Sequence, residues 1–235
     1  VATPAEVAAY RRSQQDVVAL ARRELSDWWA GLDVSDARAV AAALEAFLLQ
    51  LVGAYGDVAM TVAADFYDQQ REQAPARGSY RAALAAPLPD EQVRATARWA
   101  VGPLFGNTDS AKALSLASGA VQRLVQQGGR DTLYRNVRQD PSEPRWARAP
   151  QGGDTCAWCR MLASRGAVYL SRDSAGGDFN SWHDDDDCQP VPVWRGQELP
   201  YDADSYLQEY VNAREQAGAS PKAIAAQIRA DLGVN

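Results

Sequence analysis

The sequence predicts a mostly α fold in three parts: long N-terminal helices, a small α+β knuckle, and a helical C-terminal tail. Three observations predict it. Apolar residues recur at helical spacing through residues 1–140. Pro, Gly and Asp crowd residues 141–200 around short apolar runs, as suits strands and loops about a small nucleus. Helical spacing returns over residues 201–235.

The first helix is announced by "TPAE" at Thr3 to Glu6, an N-cap Thr before an N1 Pro with Glu at N3. Val7, Tyr10, Val17, Ala21, Leu25, Trp28 and Leu32 form its stripe, and Gly31 and Asp33 mark its end. A longer stripe follows at Val40, Leu44, Phe47, Leu48, Leu51, Tyr55, Val58, Val62 and Phe66. It exceeds what a small bundle needs, so a partner or a second copy is expected to cover it. "APARGS" and "APLPD" separate this pair from a helix near Asp90 to Val101. "GPLFGNTD" reads as a break. Ser110 to Gln127 is the next helix, with Gly128 and Gly129 expected to interrupt it before Asp131 to Val137. In the knuckle, "RWARAP", "AVYL" and "VPVW" are strand candidates. The tail carries Tyr206, Leu207, Tyr210 and Val211, then a helix with Ser220 as N-cap, Pro221 at N1 and Gly233 past its end.

Composition is that of an ordinary folded domain, 46% apolar and 23% charged over 235 residues. The most apolar stretch, Val40 to Tyr55, is interrupted by Glu45 and Gln50, and the N-terminus lacks the layout of a signal peptide. The expectation is a chain with no membrane contact, in a reducing compartment, since three cysteines suit no disulfide framework. Net charge is −6, unevenly spread. Lys112 to Arg148 holds seven basic and three acidic residues, a net of about +4. Asp173 to Glu209 holds ten acidic residues and Arg195. Phosphate neutralisation needs clustered positive charge, so DNA contact is expected to be weak or absent. Its candidates are Arg123, Arg130, Arg135 and Arg138.

All three cysteines and the single histidine fall within residues 156–188. Cys156-x2-Cys159 is a turn that aims two thiolates at one ion, and His183-x4-Cys188 can complete a tetrahedral Cys3His set. Zinc is the expected cofactor. Four protein ligands leave no position open for water, which makes the ion structural rather than catalytic. With His183 on the metal, no imidazole remains to serve a Ser or Cys nucleophile. Asp184 to Asp187 cannot all face one way and lack EF-hand spacing, so they read as a solvated acidic turn. The expectation is a non-enzyme, with no catalytic residue assigned.

"RWARAPQGGDTCAWCRMLASRGAVYL…WHDDDDCQPVPVW" resembles the C-terminal zinc-knuckle region of MuF-like minor head proteins of tailed bacteriophages, actinobacteriophage type. Arg148, Ala149, Pro150, Cys156, Cys159, Leu162 to Gly166, His183, Asp184, Cys188, Pro192 and Val193 carry the match. Asp186 stands where relatives have a further cysteine, leaving Cys188 as the one thiolate of the second half. The resemblance implies a structural minor capsid protein inside the head near the portal vertex, acting in head morphogenesis or DNA ejection. It implies the portal protein and the major capsid protein as partners, self-association as a further contact, and residence in the host cytoplasm during assembly. The alternatives are a nucleic-acid-binding zinc module and a capsid maturation protease or other hydrolase.

Overall fold

The structure is a computed structural model and describes residues 2–106, 108–151, 155–169 and 188–234. It is mostly helical, as expected, with one small antiparallel sheet among the described residues. Helix α1 (Pro4–Ala30) begins at a complete capping box. The Thr3 hydroxyl accepts the Glu6 amide at 3.2 Å, and the Glu6 carboxylate accepts the Thr3 amide at 2.7 Å. Gly31 ends it. Helix α2 (Ala37–Glu72) is capped by the Asp36 carboxylate, which accepts the Arg38 and Ala39 amides. Helices α3 (Asp90–Ala100), α4 (Gly102–Gly106) and α5 (Ser110–Gln139) complete the bundle.

Two sequence expectations change here. "GPLFG" winds into the short α4, because Val101 and Leu104 are both buried and draw the chain inward. Gly128 and Gly129 do not interrupt α5; they are where it crosses its neighbours. A Cβ at Gly128 would stand 3.0 Å from the Met60 side chain, and one at Gly129 would stand 3.0 Å from the Ala59 carbonyl. The helical cost of each glycine is about 1 kcal/mol, and close approach of α2 offsets it.

The long stripe of α2 is also spent within the chain. Val40, Leu44, Leu48, Leu51 and Phe66 are buried, and α2 packs most extensively on α5, with α3 and α1 beside it. By length and a mean hydropathy of 1.6 over an 18-residue window, α2 is apolar enough to cross a membrane. Its apolar face is instead the bundle's core, although Val58 stays exposed. Five of the nine stripe positions are thus covered within the chain, while Phe47, Tyr55 and Val62 are half-buried.

Between α2 and α3, residues 76–89 run without helix or strand along α5. Several of their backbone groups bond to side chains of α5, and others to Asp68 and Arg71 of α2 and to Ser142. The Asn136 amide oxygen accepts the Tyr80 hydroxyl at 2.7 Å and the Ala83 amide at 2.8 Å. Its nitrogen donates to the Ala83 carbonyl at 2.9 Å, and Thr132 accepts the Ala85 amide at 3.1 Å. At the end of α5 the buried Asp140 carboxylate accepts from Tyr67 at 3.0 Å and Arg71 at 2.8 Å.

Among the described residues, three apolar clusters form the core. The first joins Leu25, Leu44, Leu48, Val93, Leu104 and Leu124 in one half of the bundle. The second crosses residue 140: Val7, Tyr10, Tyr67, Leu133 and Tyr134 of the helices pack with Trp146, Cys159, Cys188 and Trp194. The third binds the knuckle to the tail through Ala157, Met161, Ala213, Ile224 and Ile228. The tail is α7 (Ala203–Ala217) and α8 (Pro221–Leu232), with Ser220 as N-cap and Gly233 in the left-handed region at φ 66°.

Candidate metal centre

The centre is built on a two-stranded antiparallel sheet, β1 (Arg145–Ala149) and β2 (Gln189–Val193). Pro190 and Pro192 alternate along β2, so the N–H groups they lack fall on the side away from β1. Arg148 faces Pro190 and Trp146 faces Pro192. On its other edge Trp146 pairs with Tyr169, donating its amide at 3.0 Å and accepting at 3.3 Å. Its ring sits between Tyr134 of α5 and Tyr169, 4.7 Å from each centroid. This stack fastens the sheet to the bundle.

Short helix α6 (Ala157–Ala163) presents the first two cysteines. Cys156 is its N-cap, and its Sγ accepts the Cys159 amide at 3.4 Å. That geometry aims the Cys156 sulfur back over the first turn, where Cys159 stands. Cys188, immediately before β2, brings its Sγ to 2.8 Å from that of Cys159. All three are reduced thiols, two of them buried. Hydrogen bonding to Cys156, then to Cys188, together with burial, holds the Cys159 thiol well above its ordinary range, against an opposing pull from the Arg148 guanidinium.

The far end of α6 is closed as carefully. Tyr169 donates to the Leu162 carbonyl at 2.9 Å and Tyr201 to the Ala163 carbonyl at 3.0 Å, satisfying terminal acceptors. Arg160 lies on Glu209 of α7 at 2.9 and 3.1 Å and over the Tyr206 ring. Nothing in the local sequence marks Arg160 for this role. Arg148 had a signal, two residues before Pro150 on an alternating strand, but its burial depends on β2.

Of the four expected metal ligands, the fold brings Cys156, Cys159 and Cys188 together, and His183 lies outside the described residues, as does Asp184 to Asp187. Among the described residues, no group of three or more His, Cys, Asp or Glu side chains forms a ready cage for an ion. The Cys159 and Cys188 sulfurs stand 2.8 Å apart. A tetrahedral zinc set with bonds of about 2.3 Å has sulfur edges of about 3.8 Å, so the pair must open by about 1 Å. The donor chemistry nonetheless fits a thiophilic ion: the Cys159 thiol bonds with both the half-buried Cys156 and the buried Cys188, from two distant segments.

The expected DNA contacts divide. Arg130 is only 2% exposed and donates to Gln126 at 2.9 Å, so it is a core residue, not a surface contact. The residue lies on the α5 face turned toward the other helices, which its charge alone could not reveal. Arg123 is half-buried. Arg135 and Arg138 are exposed and line one surface cleft with Ala85, Ala86 and Gln139.

Residues 1–213 match the family model described as VG15 protein, a span that takes in the bundle, the cysteine centre and most of α7. The chain belongs to the VG15 protein family. The gene 15 protein of Mycobacterium phage D29 is 34% identical over 42% of this chain and 47% of its own length. The gene 15 protein of Mycobacterium phage L5 is 31% identical over 62% of each. The chain thus spans about half the length of the first relative and about three fifths of the second. No solved structure matches the chain. The VG15 relatives are phage-encoded, and so is the family to which these helices and this knuckle belong.

Proposed function

We propose that this chain is a structural, non-enzymatic minor head protein of a tailed phage, in which a zinc ion locks the knuckle onto the helical bundle. The observation that carries the reading is the meeting of Cys156, Cys159 and Cys188 beside a core cluster shared with α1, α2 and α5. Cys156, Cys159, His183 and Cys188 would hold the ion. When bound, zinc supplies a fixed cross-link worth about 10–16 kcal/mol of apparent folding energy in comparable sets.

The chain's own residues do the rest. Cys156 caps α6 and so orients the first turn; Trp146 and Tyr169 exclude water from the sheet face; Arg160 and Glu209 tie α6 to the tail. The phage origin of the VG15 relatives and the MuF-like pattern around the cysteines support placement in the virion, inside the head near the portal vertex. Portal protein, and secondarily major capsid protein, are the proposed partners, with self-association as a further contact. Mass spectrometry of purified particles, with the protein's density located relative to the portal, tests this. Absence from particles of a phage encoding the chain overturns it.

A second reading, a nucleic-acid-binding zinc module, is favoured by one observation: Arg135 and Arg138 share an exposed cleft. Two cations support only weak, salt-sensitive phosphate contact.

A further inference from the structure

Cys159 stands between two other thiols. Its sulfur bonds with that of Cys156, the half-buried N-cap of α6, and lies 2.8 Å from that of the buried Cys188. Cys159 and Cys188 are 29 positions apart in the chain, and each is held by its own element. Cys188 leads into β2, where Gln189 pairs with Ala149. Cys159 lies in the first turn of α6, beside Arg160, which donates to the Thr155 carbonyl at 2.9 Å and to Glu209 of α7. A disulfide bond is about 2.05 Å long, so the two sulfurs have about 0.8 Å to close. That is a smaller movement than the opening a zinc ion demands.

We infer that Cys159 and Cys188 are a latent disulfide pair, closed through Cys156 by exchange with a small-molecule disulfide such as oxidised glutathione. The inference goes beyond the zinc reading and does not rest on it, since it needs neither His183 nor an ion. Burial sets the order of steps. Cys159 and Cys188 are fully buried, so of the three thiols Cys156 is the one that meets a reagent from solvent.

The Cys156 sulfur attacks the reagent, forming a mixed disulfide, and the first glutathione leaves with the Cys156 proton. The Cys159 sulfur then attacks that of Cys156, and the second glutathione leaves with the Cys159 proton. Cys188 attacks Cys159 in turn. The Cys159–Cys188 bond forms, and the Cys156 sulfur departs with the Cys188 proton, free again to cap α6. In sum two protein thiols give up two electrons and two protons, and the reagent gains both. The product ties α6 to β2 and consumes two of the sulfurs an ion would take. Oxidation and zinc binding therefore exclude each other.

The test treats the full chain, stripped of metal by a chelator, with excess oxidised glutathione and digests it with trypsin without reduction. Cys159 and Cys188 then fall in separate peptides, residues 149–160 and 173–195, whereas Cys156 and Cys159 share one. The two peptides are expected to emerge joined. Cys156→Ser should reach the same yield about tenfold more slowly, which assigns the bond to Cys159 and the entry to Cys156. In the native chain the Cys156–Cys159 bond should appear first and decay as the join grows, a reading that needs no variant. Peptides that stay separate overturn the pair, as does a Cys159→Ser chain that joins them as fully as the native one. A Cys156→Ser chain that joins at the native rate overturns the route through Cys156. The zinc reading fails separately. A chain that holds no zinc yet joins its peptides keeps the pair and removes the ion, and one that holds zinc but never joins after chelation does the reverse.

Discussion

Gly129 of α5 lies against Ala59 of α2, so close that a Cβ on the glycine would stand 3.0 Å from the alanine carbonyl. The same carbonyl accepts the Gln14 side-chain amide of α1 at 2.9 Å. Three helices meet at this point, and a side chain there would force its neighbours to give way.

Gly129→Ala is therefore expected to destabilise the bundle by about 1–3 kcal/mol, overpacking outweighing the gain of about 1 kcal/mol in helix propensity. Gly53, exposed on α2 with nothing within 4 Å of where a Cβ would stand, is the control. Gly53→Ala should stabilise by about 0.5–1 kcal/mol. Urea unfolding of both variants checks the pair, and equal signs would contradict the crossing geometry.

Asn136 holds the segment 76–89 through three hydrogen bonds to Tyr80 and Ala83. Asn136→Leu leaves those groups without their partner, at about 1–3 kcal/mol each for any that stay buried. Limited proteolysis should then cut between α2 and α3, and the Ala83 amide should exchange faster. Unchanged cutting would show that Thr132, Asp68, Arg71 and Ser142 suffice to hold the segment.

Elemental analysis of metal-intact protein should find one zinc per chain. Cys159→Ser should abolish it and loosen more than the knuckle, because Cys159 packs in the cluster that includes Tyr10, Tyr67 and Leu133. Hydrogen exchange should rise at those ends of α1, α2 and α5, while amides around Leu44 and Leu124 stay protected. Loosening confined to residues beyond 140 would show that the shared core carries little energy.

Arg135 and Arg138 together should carry whatever DNA retention exists. Changing both to Gln should weaken retention and reduce the salt slope by up to about 2, one unit for each phosphate no longer neutralised. Arg130→Gln should leave the slope alone and lower the melting temperature, since its guanidinium is buried against Gln126.

What the sequence made legible was local. The Thr3–Glu6 capping box, the Pro221 start and the Gly233 stop all lie within a few residues of the backbone groups they serve. Two of the three expected strand runs became β1 and β2, whereas "AVYL" contributes only the single bridge of Tyr169 to Trp146 among the described residues. What escaped depended on distant segments. Gly128 and Gly129 look like a break until α2, some seventy residues earlier, is laid across them. Arg130 looks like a surface cation until the other helices close around its face of α5. The α2 stripe looked unsatisfied because periodicity shows that a face is apolar and not which helix will meet it. For the candidate site, spacing brought the three cysteines together in advance, whereas Arg148 needed the register of β1 on β2.

The cluster spanning residue 140 also fixes an order of events during synthesis. Ala2, Val7 and Tyr10 belong to it, and so does Trp194; Arg11 donates to the Gln151 carbonyl across 140 positions of chain. The first cluster, by contrast, has every member once Val125 has emerged. One half of the bundle can close while the ribosome is still translating the knuckle. The opening turns of α1 meanwhile wait with Val7 and Tyr10 uncovered. Long-range closure of this kind is the slow step in a folding chain, and its exposed intermediate is the one prone to associate. Cys188 arrives only six residues before Trp194. The last thiol and the last piece of that core thus reach the nascent protein almost together, and a single late event finishes both.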